Sequence, residues 1–204
     1  MKSAVLLLST ILLTTFLSCK NNQQTAGNSD VQDTTAQSSP FLPVGAILNN
    51  DKKLADTFAT AFLKRVETGS HKDSAFINPA EFNRLSMAFF PSVLMDSAAF
   101  RQHYNESSIM DETTGLLNFI YTAKDVSDSL HQVVVYISPT QTTDQTNRVY
   151  MERAFKQGDT LVQQKLTWKL KQYFYILTIR QPATGDAVIT NEKVIWNPEK
   201  FRED

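Results

Sequence analysis

The chain contains a single cysteine, Cys19, in 204 residues. One thiol excludes an internal disulfide and any Cys-x-x-Cys metal or redox pair. Glycine is also scarce, with six in all, and no G-x-G-x-x-G, P-loop or G-x-S-x-G stretch occurs, so a glycine-rich phosphate cradle and a nucleophile elbow are both missing. The three histidines, His71, His103 and His131, show neither the H-x-x-x-H nor the H-E-x-x-H spacing that sets two ligands on one helical face. His71 with Asp73 reads as a solvated loop pair, His103 as a cation at the carbonyl pole of a helix, and His131 as the opening of a strand. No metal and no cofactor is implied. The formal net charge is −1, and this near-neutral balance speaks against a nucleic-acid surface, whose mark is a basic stripe.

What the chain does have is an apolar start. Met1-Lys2 is followed by Ser3 to Leu17 without a charge, carrying Val5, Leu6, Leu7, Leu8, Ile11, Leu12, Leu13 and Phe16. A bilayer span takes about 20 apolar residues; this run is shorter and interrupted by Ser and Thr, as in a secretory leader. It ends in Phe16-Leu17-Ser18-Cys19, which resembles the lipobox of bacterial lipoprotein signals. The resemblance implies cleavage after residue 18 and lipidation of Cys19. Two kinds of acyl attachment at one residue supply the more-than-one-chain anchoring that stable membrane attachment requires. Lys20-Asn21-Asn22-Gln23-Gln24 holds no acidic residue, and by the sorting rules of lipoproteins this implies the outer membrane, facing the periplasm.

Residues 20–40, KNNQQTAGNSDVQDTTAQSSP, contain one large aliphatic residue, Val31. Such a composition buries too little apolar surface to offset its ordering entropy. It reads as a tether, with a root-mean-square span of roughly 25 Å for a flexible coil of this length. The organisation expected is therefore a signal peptide over 1–18, a lipidated cysteine and tether over 19–40, and one globular domain over 41–204.

Within the domain, Leu54, Phe58, Ala61, Phe62 and Val66 recur at helical spacing and predict a helix over 51–66, capped by Asn50 or Asp51 and ended by Gly69. Asn78-Pro79-Ala80-Glu81 is a helix start with a capping Asn, Pro at the first position and Glu at the third. Phe82, Leu85 and Phe89 form its stripe and Pro91 stops it. A third helix is predicted from Asp96 to Tyr104.

After Gly115 the period becomes two. Alternation at Leu117, Phe119 and Tyr121, the run Val133 to Ile137, alternation from Val149 to Phe155, and Ala187 to Trp196 predict strands. Leu161 to Arg180 exceeds a usual strand length, and its parity shifts near Lys171-Gln172, which means a bulge or a tight turn between two strands. Asp125-Val126-Ser127-Asp128 reads as a hairpin turn, since the residue series of a calcium loop is absent.

Helices followed by a meander predict an α+β domain, with N-terminal helices packed on a curved antiparallel sheet of five to six strands. This order of elements resembles the nuclear-transport-factor-2-like cone and the cystatin-type domains. Tyr150, Trp168, Tyr173 and Tyr175 form the candidate binding face, and the same aromatics can equally be the core. Three classes of function remain. The leading one is a non-catalytic, lipid-anchored envelope protein that binds a partner protein or a small apolar ligand. Behind it stand a small enzyme with an acid/base pair in the pocket, for which Tyr121, His131 and Glu152 are the first side chains to inspect, and a structural subunit of an envelope assembly.

Overall fold

In the computed structural model, residues 41–139 and 145–197 are described. The expected signal peptide, Cys19 and the tether lie outside them. Residues 40–204 belong to one compact unit.

The chain builds one nine-stranded antiparallel sheet, not the five- to six-stranded cone of the nuclear-transport-factor-2-like or cystatin kind. Helix α1 (Val44–Phe58) leads into a hairpin of β1 (Phe62–Thr68) and β2 (His71–Ile77). Three short helices, α2 (Pro79–Ser86), α3 (Ser92–Met95) and α4 (Ser97–His103), then cross to the far edge. From there β3 (Tyr104–Asp111), β4 (Leu116–Ala123), β5 (Leu130–Ser138), β6 (Gln145–Gln157), β7 (Thr160–Lys169), β8 (Tyr173–Gln181) and β9 (Val188–Trp196) return as a meander. The spatial order is β2-β1-β9-β8-β7-β6-β5-β4-β3, so the last strand closes against the first.

Six strands coincide with the periodic segments of the sequence, and β1, β2 and β3 are additional. The helix expected over 51–66 is corrected to 44–58, with its C-terminal half replaced by β1. Leu54 and Phe58 are 42% and 71% exposed, while Val44, Leu48, Asp51 and Ala55 face inward at i, i+4, i+7 and i+11. A polar residue in the middle of the buried stripe shifted the apparent stripe onto the exposed face. Gly69, read as a helix end, is instead the left-handed residue of the β1–β2 turn, with φ 59°; the same conformational freedom serves either structure. The β2 sequence HKDSAFI is almost wholly exposed, and its Lys72 and Asp73 protect a sheet edge from further pairing. The α2 start is as the sequence indicates, with Asn78 accepting from the Glu81 amide at 2.9 Å.

Strand alternation assigns each residue to one of two faces. The helices cover the face carrying Val133, Val135, Val149, Met151, Leu166, Trp168, Phe174 and Val194, and these form one core with Val44, Leu48, Phe82, Phe89 and Phe100. Phe82 stacks on Phe62 at 4.2 Å between centroids, Phe89 meets the Trp168 ring at 5.1 Å, and Phe100 lies 5.0 Å from Tyr121. The crossing segment thus touches strands at both sides of the sheet. Rings fill the space between helices and strands, each adding attraction beyond its buried area.

The core also contains a carboxylate. Asp51, 4% exposed, accepts from Trp168 Nε1 at 2.8 Å and from the Lys171 amide at 3.0 and 3.1 Å. Lys171 has φ 65° in the tight turn between β7 and β8. That turn, not a bulge, accounts for the parity shift in the sequence. Close packing fixes the other end of α1, since a Cβ on Gly45 would come within 2.4 Å of the Leu94 carbonyl oxygen.

Replacing Asp51 with Ala strands the buried Trp168 indole N–H and the part-buried Lys171 amide and is expected to cost about 2–4 kcal/mol. Lys171→Gly keeps the amide that Asp51 binds and relieves a left-handed side chain, for a net gain of about 0.5–1 kcal/mol. Urea denaturation checks both, and a loss of stability in Lys171→Gly would contradict the assignment.

Candidate functional site: the open face of the sheet

Opposite the core, no described helix lies over the sheet, and the residues there form rows running across the strands. One row reads Asn118, Tyr136, Arg148, Lys169, Tyr173, Ile195, Leu63 and Phe76 from β4 to β2. The next reads Ile120, Val134, Tyr150, Thr167, Tyr175, Lys193, Arg65 and Ser74. Neither row holds a carboxylate, yet together they carry Arg148, Lys169, Lys193 and Arg65. Val134 and Ile195 are buried on this face beneath the longer side chains and are separate from the helix-side core.

The geometry of the rows is set by stacking. The Arg148 guanidinium lies 4.0 Å from the Tyr136 ring centroid and Lys193 Nζ 4.4 Å from that of Tyr173, distances at which a cation is drawn to the ring face. The stacked cations lie along the sheet. Lys169 bonds Asn147 Oδ1, and it stands directly opposite Arg148. Like charges facing each other across two strands destabilise a sheet. Burial, followed by the nearby Arg148 charge, pushes the Lys169 ammonium below its ordinary range.

The tyrosine hydroxyls are held as well. Tyr175 donates to Asn191 Oδ1 at 2.8 Å, and Tyr150 donates to Glu152 Oε1. Burial, then Glu152, raises the Tyr150 phenol, and burial, then Glu67, raises Tyr175. The two carboxylates of the next row are occupied, Glu152 facing Lys165 at 3.7 Å and Glu67 facing Lys72 at 2.9 Å.

Of the four residues of the candidate face, Tyr150, Tyr173 and Tyr175 therefore share the open side, and Trp168 belongs to the core with no exposure. The β7–β8 turn separates them, since it pairs Trp168 with Phe174 and sends Tyr173 and Tyr175 to the opposite face. Cys19 lies outside the described residues. Sequence reasoning missed Arg148, Lys169 and Lys193; the one local signal was Arg148 two residues before Tyr150 at the same strand parity, while Lys169 and Lys193 meet tyrosines only across strands.

The residues considered for acid/base chemistry divide similarly. His131 and Glu152 line a shallow hollow of about 230 Å³ with Ala154 and Lys165 on the open face. Tyr121 is buried on the helix side, where its hydroxyl accepts from the Leu42 amide at 3.1 Å. His103 sits 3.6 Å from Asp128 in a groove of about 420 Å³ beside α4. Its neighbour Tyr104 donates to the Leu130 carbonyl at 2.6 Å, and burial, then Asp128, pushes that phenol up to about 12. Asp111 and Asp125 serve turns, accepting from the amides of Thr113 and Thr114 and of Ser127. Among the described residues no group of three or more His, Cys, Asp or Glu could hold a metal.

No protein-family model, no curated protein and no solved structure matches this chain.

Arg148→Gln removes the second cause of the Lys169 shift and leaves the first. The Lys169 pKa is expected to rise while staying below that of a solvated lysine, as read by NMR titration of its Nζ. An unchanged value would show that the two cations do not interact.

Proposed function

We propose that this chain is a non-catalytic binding protein of the bacterial envelope, anchored through a lipidated Cys19 and facing the periplasm from the outer membrane. Its open sheet face receives a partner protein with an acidic surface. The observation that carries this reading is the pair of adjacent rows holding four cations and no carboxylate, in a chain whose net charge is −1. Retaining Arg148 opposite Lys169 costs stability in the free protein, and a carboxylate-bearing partner removes that cost.

Chemistry favours a protein over other occupants. Tyr and Arg are enriched where protein interfaces bind most tightly. The stacked Arg148 and Lys193 and the fastened Tyr150 and Tyr175 hydroxyls order this surface, which loses correspondingly little side-chain entropy on docking. A small apolar ligand has less support, since aromatic rings fill the space between helices and sheet. No described helix is long and apolar enough to cross a membrane, and lipidation supplies attachment without one. A second reading, the subunit of an envelope assembly, is favoured by exposed Leu54 and Phe58, neighbours on α1.

Two measurements test the proposal. Cys19→Ser should move the protein from the membrane pellet to the soluble fraction, and continued sedimentation would contradict lipid anchoring. Residues 41–204 should bind immobilised poly-glutamate in a salt-sensitive manner, and the double variant Arg148→Glu with Lys169→Glu should weaken this at least about tenfold. Equal binding by the variant would overturn the site. Tighter binding to phosphatidylglycerol vesicles or to duplex DNA than to poly-glutamate would replace the protein partner with a membrane or a nucleic acid.

A further inference from the structure

On the helix-covered face, the apolar core gives way to a polar row at one level of the sheet. Arg153, Gln164, Thr178 and Thr190 stand side by side on β6, β7, β8 and β9. The adjacent row toward the core is Met151, Leu166, Ile176 and Glu192. The polar row floors a groove of about 390 Å³, walled by Arg84, Leu85, Met87 and Ala88 of α2 and the 3-10 turn after it, with Arg180 and Glu192 on its flanks. Ligand pockets span about 300–1,000 Å³, so the groove admits a small molecule.

The row is internally organised. Arg153 Nε donates to Gln164 Oε1 at 2.6 Å, and Gln164 Nε2 donates to Thr178 Oγ1 at 3.0 Å. This assignment consumes the Gln164 oxygen and leaves the two Nη groups of Arg153 and the Thr178 O–H as donors. Thr178 is only 6% exposed. Among the described residues no carboxylate lies within ion-pair distance of Arg153 or Arg180, whereas Arg84 is held by Glu81 at 2.7 Å. A partly buried cation without a counter-charge is costly, and burial lowers the Arg153 pKa accordingly. Glu192, raised by burial, is the groove's one carboxyl and the place for a ligand hydroxyl or ammonium donor.

We infer that this groove binds a small oxyanion-bearing molecule, its carboxylate or phosphate group held between Arg153 and Arg180 with the Thr178 hydroxyl donating to it. A planar guanidinium fork matches both groups. The site is independent of the open face, since it uses the opposite side of the same strands.

The test is an NMR titration of residues 41–204 with inorganic phosphate and, separately, with acetate, each at an ionic strength held constant with sodium chloride. The expected result is saturable movement of the Arg153 Nε–H, the Gln164 side-chain amide and the Thr178 and Thr190 signals in at least one arm. The stronger arm identifies phosphate or carboxylate as the group bound. Arg180→Gln, on the exposed rim and remote from the core, should weaken that binding about tenfold with an unchanged circular dichroism spectrum. Arg153→Lys, which keeps the charge but loses the fork, should weaken it as well. Absence of saturation in both arms, equal affinity in Arg180→Gln, or shifts confined to Arg148 and Lys169 would each overturn the assignment.

Discussion

Everything else in this domain depends on the placing of one buried carboxylate. Asp51 projects from the inward side of α1 and gathers the Trp168 indole N–H and the Lys171 amide, tying the first helix to a turn 120 residues later in the chain. A hydrogen-bonded carboxylate in the core is tolerable only when its partners are in place. The contact therefore selects one docking position for α1 and one conformation of the β7–β8 turn. That turn decides which aromatics belong to the core and which face outward. With Trp168 and Phe174 on the helix side, Tyr173 and Tyr175 must occupy the other.

Two surfaces with different chemistry follow from this division. The helices and the 3-10 turn have rings to cover on one face, Phe62, Tyr121 and Trp168 among them, and meet them with Phe82, Phe89 and Phe100. Along the flank of α2 that same face turns polar, at Arg153, Gln164 and Thr178. The opposite face, over which no described helix lies, mixes tyrosine with cations in rows that cross the sheet. Net charge conceals this segregation, because it averages an acid-free strip with acidic residues elsewhere on the sheet, on the helices and in the turns. The near-neutral balance that argued against a basic stripe was correct about the sum and silent about its distribution.

Legibility in the sequence followed the strength of local periodicity. The β-branched run Val133–Ile137 and the uninterrupted alternation Val149–Phe155 became central strands. The Asn78-Pro79 helix start carries its own capping chemistry and was readable from four residues. By contrast, Asn105, Glu106, Ser107 and Ser108 of β3 have little preference for extended structure, and they become a strand because β4 supplies the ladder. The first helix was misplaced because Asp51 occupies a core position that patterning reserves for apolar residues. In the candidate face, parity separated Trp168 from Tyr173 and Tyr175, but no local signal showed that the two parities meant two faces. Arg148 opposite Lys169 is a cross-strand relation, visible only once the register is known.

The central claim is that the open sheet face is covered in the envelope. Hydroxyl-radical footprinting of the full chain in membrane vesicles from the cells that express it, compared with the purified domain, measures this directly at single tyrosines. Tyr136, Tyr150, Tyr173 and Tyr175 should be protected in the vesicles while exposed Met87 and Met95, on the helix side of the sheet, label equally in both. Equal labelling of the four tyrosines in both preparations would contradict it.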